Sequence, residues 1–466
     1  MKFSSVLSFL VFVALITISL AIGAGCAQIG APTGGAKDTI PPVLLKASPG
    51  LNSTNFTGNK ITLTFNEYIN VDDVLNNVLV SPYPKVNPVV DYKLKTVTVK
   101  LKDSLLPNTT YSINFGNAIK DNNEGNPLKN FTYVFSTGNH IDSLRLSGKV
   151  IVAETGKADS TLIAMLYRNT DDSAVQKIKP DYIAKLKGDG SFTFTNLSAG
   201  NYKLYALKDG DGGKTYNSKT ELFAFADHMV TIGPTNTPVT LYASAQEKDT
   251  RGVTPVPSAK STGAEKKLKY TGSVTTQNQE LQDDLELVFS KPLKKFDPSK
   301  IILTDTGYKP ISPVQINIDS SRKKISLSVK WQEDMKYRLI INNTAVADSL
   351  GNSIAKSDTI RFATKKVSEY GNLVLRFTNL DLAKHPVLEF VVGEEIKLSS
   401  PVTANEWSKK LFKPGEYEIR ILFDDNNNGK WDPGDYSKKT QPEKVIVLPQ
   451  KLGIRADWDN ERDIKL

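Results

Sequence analysis

An all-β fold of tandem antiparallel β-sandwiches, set out as an A-B-A-B array behind an export signal, is what this sequence predicts. Three observations lead there. Short stretches alternate apolar and polar residues with period two, as in ITLTFNEYI (61–69), KTVTVKL (95–101) and FTYVFST (131–137), the pattern of half-buried strands. Turn formers separate them, such as Pro107-Asn108 and Asp121-Asn122-Asn123-Glu124-Gly125-Asn126-Pro127. And the second half of the chain repeats the first. At 466 residues there is room for three or four domains.

Taken in order, residues 1–25 carry Lys2, an apolar run over 6–22 and a small-residue end, Gly23-Ala24-Gly25-Cys26. This reads as a secretory signal with Cys26 as the first mature residue and site of lipid attachment; an uncleaved membrane anchor is the competing reading of the same run. A strict lipobox has Leu, Val or Ile three residues before the cysteine, where this chain has Gly23, with Ile22 one step further out. Ala24 and Gly25 fit, and Cys26 is the only cysteine. Residues 26–42 are a Gly/Pro/Thr tether. Residues 43–138 form the first A module. The first B module spans 139–248, with strands expected in SLRLSGKVIV, TLIAMLYRN, GSFTFTNL, GNYKLYALKD and HMVTIG. Residues 249–267 are a linker by composition. The second A module, 268–366, aligns LELVFSKPL with ITLTFNEYI, KKISLSV with KTVTVKL, and Asp348, Gly351 and Asn352 with Asp121, Gly125 and Asn126. The second B module, 367–466, sets Lys413-Pro414-Gly415-Glu416-Tyr417 against Ser198-Ala199-Gly200-Asn201-Tyr202.

Two resemblances follow from these residues. Thr64-Phe65-Asn66-Glu67, Leu106-Pro107-Asn108-Thr109-Thr110-Tyr111, Ile119-Lys120-Asp121 and Phe135-Ser136-Thr137-Gly138 resemble the bacterial Ig-like domain first described in S-layer proteins, and the lead-in from Cys26 to Pro42 resembles Bacteroidetes lipoproteins that carry it. Gly188-Asp189-Gly190-Ser191-Phe192 with Gly200-Asn201-Tyr202 resembles the transthyretin-like sandwich of carboxypeptidase regulatory domains and adhesin B-type repeats. The resemblance implies a cell-envelope protein of the outer membrane.

Composition bounds the chemistry. A net charge of +9 is spread in short lysine clusters, which suit guarded sheet edges. No basic stripe interleaved with aromatics marks a nucleic-acid face. One cysteine forbids an intramolecular disulfide, and three scattered histidines speak against a Cys/His zinc centre. There is no G-x-S-x-G, Walker loop or H-E-x-x-H, and the S-x-x-K matches at Ser321 and Ser353 lack the helix and pocket that motif needs. The chain is expected not to be an enzyme; Glu67 and Asp121 read as structural acids rather than a catalytic pair.

The stretch richest in ligand-type side chains is Asp424 to Asp435. Asp424, Asn426, Asn428, the backbone carbonyl of Lys430, Asp432 and Asp435 occupy the donor positions of a calcium loop, with Gly429 at the sixth place. Calcium is therefore the one cofactor the sequence suggests; a hairpin loop of Asx turns without any ion fits the same residues. The first B module's loop, Asp209 to Tyr216, is poorer in ligands. Trp431, beside the calcium positions, is a candidate for glycan stacking, against ordinary core packing. Asp-Ser and Asp-Thr pairs name Thr39, Ser104, Ser143, Ser160, Ser173, Ser349 and Thr359 as candidate O-glycosylation sites, by resemblance to the sequon of exported Bacteroidetes proteins. The expected partners are a membrane through the lipid anchor and an envelope protein or glycan. The leading expectation is a structural or adhesive envelope protein, with a carbohydrate-binding role as the alternative.

Overall fold

The computed structural model describes residues 9–18, 37–247, 267–274 and 278–466; Cys26 and most of the 249–267 linker lie outside them. Residues 9–18 are helical, and no helix among the described residues is long and apolar enough to cross a membrane. The other regular elements are strands, joined by loops and by helices of only three or four residues. The first A module forms one compact unit and the other three modules a second.

Both A modules have one topology. In the first, a four-stranded antiparallel sheet runs Leu44–Ser48, Lys60–Phe65, Thr96–Lys100, Val89–Lys93; a two-stranded sheet pairs Ile69–Val71 with Ile119–Asp121; a three-stranded sheet runs Leu79–Ser81, Thr110–Asn114, Thr132–Ser136. The second repeats this strand for strand, from Tyr270–Gly272 to Asp358–Ala363. Alternation explains the core. Ile61, Leu63, Phe65, Val97 and Val99 point inward and are fully buried against Ile113, Phe115, Tyr133 and Phe135 of the opposite sheet. Each such side chain contributes ~1.5–3 kcal/mol by leaving water.

One expectation is corrected here. ITLTFNEYI reads as a single strand but is two, Lys60–Phe65 and Ile69–Val71, in different sheets. Asn66 makes the corner: its N–H donates to the Val43 carbonyl at 3.0 Å and its side-chain oxygen accepts the Val43 N–H at 2.7 Å. YSINFGNAI (111–119) and LELVFSKPL (285–293) split in the same way, into Thr110–Asn114 and Ile119–Asp121 and into Leu285–Phe289 and Leu293–Phe296. Period-two alternation continues through a corner, so it cannot report one.

The B modules also share one topology. In the first, strands Ser191–Leu197, Leu144–Val152 and Val239–Ala243 form one sheet; Tyr182–Lys185, Ile163–Tyr167, Gly200–Leu207 and Phe223–Phe225 form the second, with Val230–Ile232 also on Gly200–Leu207. The second B module repeats it, from Gly371–Thr378 to Asp459–Lys465. The sandwiches are not wholly antiparallel. In each, the first strand pairs in parallel with the last, Gly148 opposite Val239 and Asn372 opposite Asp459. The intervening chain builds the second sheet, which is the long crossover a parallel pair requires.

The second A and B modules are joined at Tyr370, which is buried; its hydroxyl donates to Glu280 at 2.6 Å and accepts the Leu281 N–H at 2.8 Å.

Candidate functional site: the Asp/Asn loop and the module junction

The loop begins where strand Gly415–Phe423 ends and returns to the sheet at Lys444–Val447. Asp424, only 1% exposed, caps its turn: one carboxylate oxygen accepts the Asn428 N–H at 3.1 Å, the other the Gly429 N–H at 2.6 Å. The side-chain amides of Asn426 and Asn428 meet one oxygen of Asp432 at 2.5 and 2.6 Å. Four of the predicted donor residues are thus gathered. Lys430 contributes its N–H to the Asn428 side-chain oxygen at 2.7 Å. Asp435 goes elsewhere: it accepts the Ser437 hydroxyl at 2.6 Å and N–H at 2.9 Å, opening a separate turn closed by a bridge to Thr440. Those contacts hold its carboxyl below the ordinary aspartate range.

The acid that does reach the loop is Glu443, which the sequence reading did not single out. It is 5% exposed and accepts the N–H groups of Asp425 and Asp432, both at 2.9 Å. Burial, helped by Asp424 and Asp432, pushes its carboxyl above the ordinary range. Its signal was positional: Glu221 before strand Phe223–Phe225 is its counterpart and likewise accepts two loop N–H groups, from Asn217 and Ser218. Among the described residues, no group of three or more His, Cys, Asp and Glu side chains is arranged to hold a metal; any cation at this loop would rely on the Asn oxygens and backbone carbonyls, which calcium accepts. In the first B module, the Lys214 ammonium pairs with Asp209 within the corresponding loop.

Trp431 is half-buried on its own module against Val387, Leu422 and Val445, with its indole N–H donating to the Glu443 carbonyl at 2.9 Å. Trp331 is buried, Trp407 packs at a tilt against Phe390, and Trp458 is the exposed one, at 59%, with Arg455 over its ring. Of the candidate glycosylation residues, Thr39, Ser104, Ser143, Ser160 and Ser349 are exposed, while Ser173 and Thr359 are partly covered. Asp121, the acid the sequence reading set beside Glu67, caps a turn. Asp121 is buried and accepts N–H groups from Asn123, Glu124, Gly125 and Asn126 at 2.6–3.0 Å. Asp348 caps the corresponding loop of the second A module, accepting from Leu350 and Asn352. Gly125 and Gly351 supply the positive φ, 78° and 79°, at which both loops turn.

Beyond Asp432 the loop leaves its own module. Residues 433–442 lie on the outer face of the first B module's larger sheet, where Tyr436 is buried among Tyr205, Tyr216, Phe223 and Phe225. Its hydroxyl is 2.9 Å from that of Tyr205 and donates to the Asp172 carbonyl at 2.8 Å. The Gly434 N–H donates to the Ser244 hydroxyl at 3.2 Å, Gln441 reaches the Phe225 carbonyl at 3.0 Å, and Lys439 pairs with Asp172 at 3.0 Å. The second B module offers the equivalent sheet face in return. Glu389 and Arg420, opposite one another in register, stand where the first module has Met165 and Tyr205, and both are buried. Arg420 binds Glu418 at 2.7 Å, and Glu418 binds Lys157 of the first module at 2.8 Å.

The fold and this junction define an array of duplicated β-sandwiches whose two B modules are clasped together. Residues 38–137 and 268–364 match the bacterial Ig-like domain family. Among curated proteins, none is similar to the chain. Similar solved structures include native alpha-2-macroglobulin of Escherichia coli (domains MG0-NIE-MG1), 14% identical over 40% of this chain and 72% of that one, TM-score 0.21. The major pilin subunit BcpA of Bacillus cereus is 12% identical over 69% and 99%, TM-score 0.15. A DUF3823 family protein of Bacteroides uniformis is 11% identical over 48% and 99%, TM-score 0.15.

Proposed function

We propose that this is a non-enzymatic, lipid-anchored protein of the bacterial cell envelope, in which Cys26 holds its sandwich modules at the outer membrane for a structural or adhesive task. The observation that carries the reading is the duplicated array itself: two segments matching the bacterial Ig-like domain, each followed by a second kind of sandwich of repeated topology. Such modules supply rigid surface. The mechanism is mechanical: two or more acyl chains give stable anchoring, and the sandwiches present a surface to an envelope protein or glycan. Envelope fractionation tests the anchor: wild type stays with the outer membrane and Cys26→Ser becomes soluble; retention of the serine variant refutes it. A pull-down from protease-shaved and intact cells then identifies the partner and the membrane face together.

A second reading, a calcium-stiffened loop serving a glycan-binding surface, rests on the calcium-type spacing of Asp424, Asn426, Asn428 and Asp432, which one turn gathers; it requires the Asn426 and Asn428 amides, which now donate to Asp432, to turn their oxygens inward. In it, the carboxylates of Asp424 and Asp432, the amide oxygens of Asn426 and Asn428 and the Lys430 carbonyl would hold Ca²⁺, which would brace the loop without chemistry of its own. Calorimetric titration of the whole mature chain with millimolar CaCl₂, against Asp424→Asn, decides this reading. Absence of heat and of any rise in melting temperature removes it.

A further inference from the structure

The clasp between the two B modules has the construction of a part that opens. Each module has its own closed core, around Leu166, Phe192 and Leu204 in the first and Leu375, Phe390 and Ile421 in the second, and residues 433–442 belong to neither. The segment is braced by its own module. Glu443 ties its root to the loop through Asp425 and Asp432, the Asp435–Thr440 bridge closes its tip, and Gly434 sits where a Cβ would meet Pro442 at 2.8 Å and the Thr440 carbonyl at 2.9 Å. Such a preformed hairpin loses little freedom when it docks. What crosses to the first module is one buried ring and a rim of side-chain hydrogen bonds. Among the described residues, no strand of one B module pairs with a strand of the other. The opposite half of the junction adds the Glu418–Lys157 pair and the Lys444 ammonium over the Tyr242 ring at 4.7 Å.

The duplication makes the arrangement specific. Tyr216 and Tyr436 lie in corresponding loops, between corresponding strands, yet both reach the same aromatic face. Tyr216 stays on its own module, stacked on Phe223 at 4.1 Å. In the second module Trp431 takes the home position, and the longer loop carries Tyr436 across.

We infer that residues 432–443 are a releasable latch, keyed by Tyr436, that switches the two B modules between a docked pair and separated sandwiches, and so covers or uncovers the aromatic face at Tyr205 and Phe223. This role goes beyond the proposed anchoring function and does not depend on a bound cation. Both modules belong to one chain, and that tethering favours the docked state through high effective concentration.

The test uses the whole mature chain with Cys26→Ser, so that two introduced thiols, Lys187→Cys and Lys451→Cys at exposed positions of the two modules, take a donor and an acceptor dye. Wild type should show one high transfer efficiency. Tyr436→Ala should lose most of it while both B modules keep their folding transitions, and Gly434→Ala, which disturbs the hairpin without touching the aromatic face, should do the same. Tyr436→Phe, which keeps the ring, should retain partial transfer. Unchanged transfer in Tyr436→Ala overturns the latch. So does loss of a folding transition in that variant, because the tyrosine would then belong to a module's fold and not to a separable clasp.

Discussion

Replacing Asp121 by Asn changes one atom in the loop that closes the first A module, and its consequence can be worked from the geometry. One carboxylate oxygen accepts three N–H groups, from Asn123, Glu124 and Gly125 at 3.0, 2.6 and 3.0 Å; the other accepts Asn126 at 2.7 Å. Asn keeps a single acceptor and turns an NH₂ toward whichever donor it abandons. The three retained bonds lose charge assistance, the fourth becomes a donor facing a donor, and the site is 3% exposed. Net, this should cost about 3 kcal/mol. For a domain of this size that lowers the melting temperature by roughly 10–25 °C. Scanning calorimetry of the whole chain should show the transition of the first unit moving and the second unit staying in place. The pH dependence checks the cause. The backbone N–H groups hold Asp121 below its ordinary value against the effect of burial, so its contribution is complete above the unfolded pKa of about 4 and is lost as pH falls through the folded value. The gap between wild type and Asp121→Asn should therefore be constant above about pH 5 and close below pH 4. A variant within 1 kcal/mol of wild type at neutral pH, or a gap that widens in acid, refutes the reasoning.

Three more outcomes are expected. Burial and the nearby Asp121, Asp38 and Glu124 carboxylates raise the Glu67 carboxyl, whereas the second A module has Lys291 at the corresponding place, 3.6 Å from Asp348; Glu67→Lys should stabilise the first module by ~0.5–1 kcal/mol in a denaturant titration, and destabilisation would show the repulsion to be immaterial. Burial also raises Glu389, with Arg420 opposing and Glu154 adding to it. An acid raised on folding costs stability at neutral pH and nothing below its unfolded pKa. Glu389→Gln should thus melt higher than wild type at pH 7, the advantage vanishing below about pH 4, since Arg420 keeps Glu418 as its partner. Tyr370→Phe removes the donor to Glu280 and the acceptor for Leu281; a loss of about 1–2 kcal/mol in the coupling of the second A and B modules should appear as broadened, less cooperative unfolding, while Lys365 still pairs with Glu280 at 2.7 Å.

The sandwiches were legible in the sequence because half-buried strands write their inward faces as alternation, as Ile61, Leu63 and Phe65 do. The duplicated Asp121 and Asp348 loops were legible because a turn capped by one carboxylate needs that acid and a glycine at set spacing. Corners between sheets were not, since alternation runs through them. The calcium-type spacing identified a real cluster but assigned Asp435 to it, and no local rule says that Asp435 caps the next turn instead. The module junction had a signal of another kind. IAMLY at 163–167 and LYAL at 204–207 are continuous apolar runs, with Met165 and Tyr205 on the face opposite the module's own core. A strand of a free sandwich has no reason to be apolar on both faces, so these runs announced a cover. Its identity, a tyrosine more than two hundred residues away, depends on tertiary geometry.

The junction also limits how this chain can evolve. The two B modules descend from one pattern, yet their facing surfaces have become opposites: aromatic with Tyr205 and Phe223 in one, ionic with Glu389 and Arg420 in the other. A recombinant carrying two copies of the first would present two hungry aromatic faces with no Tyr436 to fill either. One carrying two copies of the second would have two tyrosines at position 436 and no aromatic receptacle for either, since Arg420 stands where Tyr205 does. Repeats that began as interchangeable units have become a lock and its key, and the array can no longer grow or shrink by slipping one B module without losing the fit of the other.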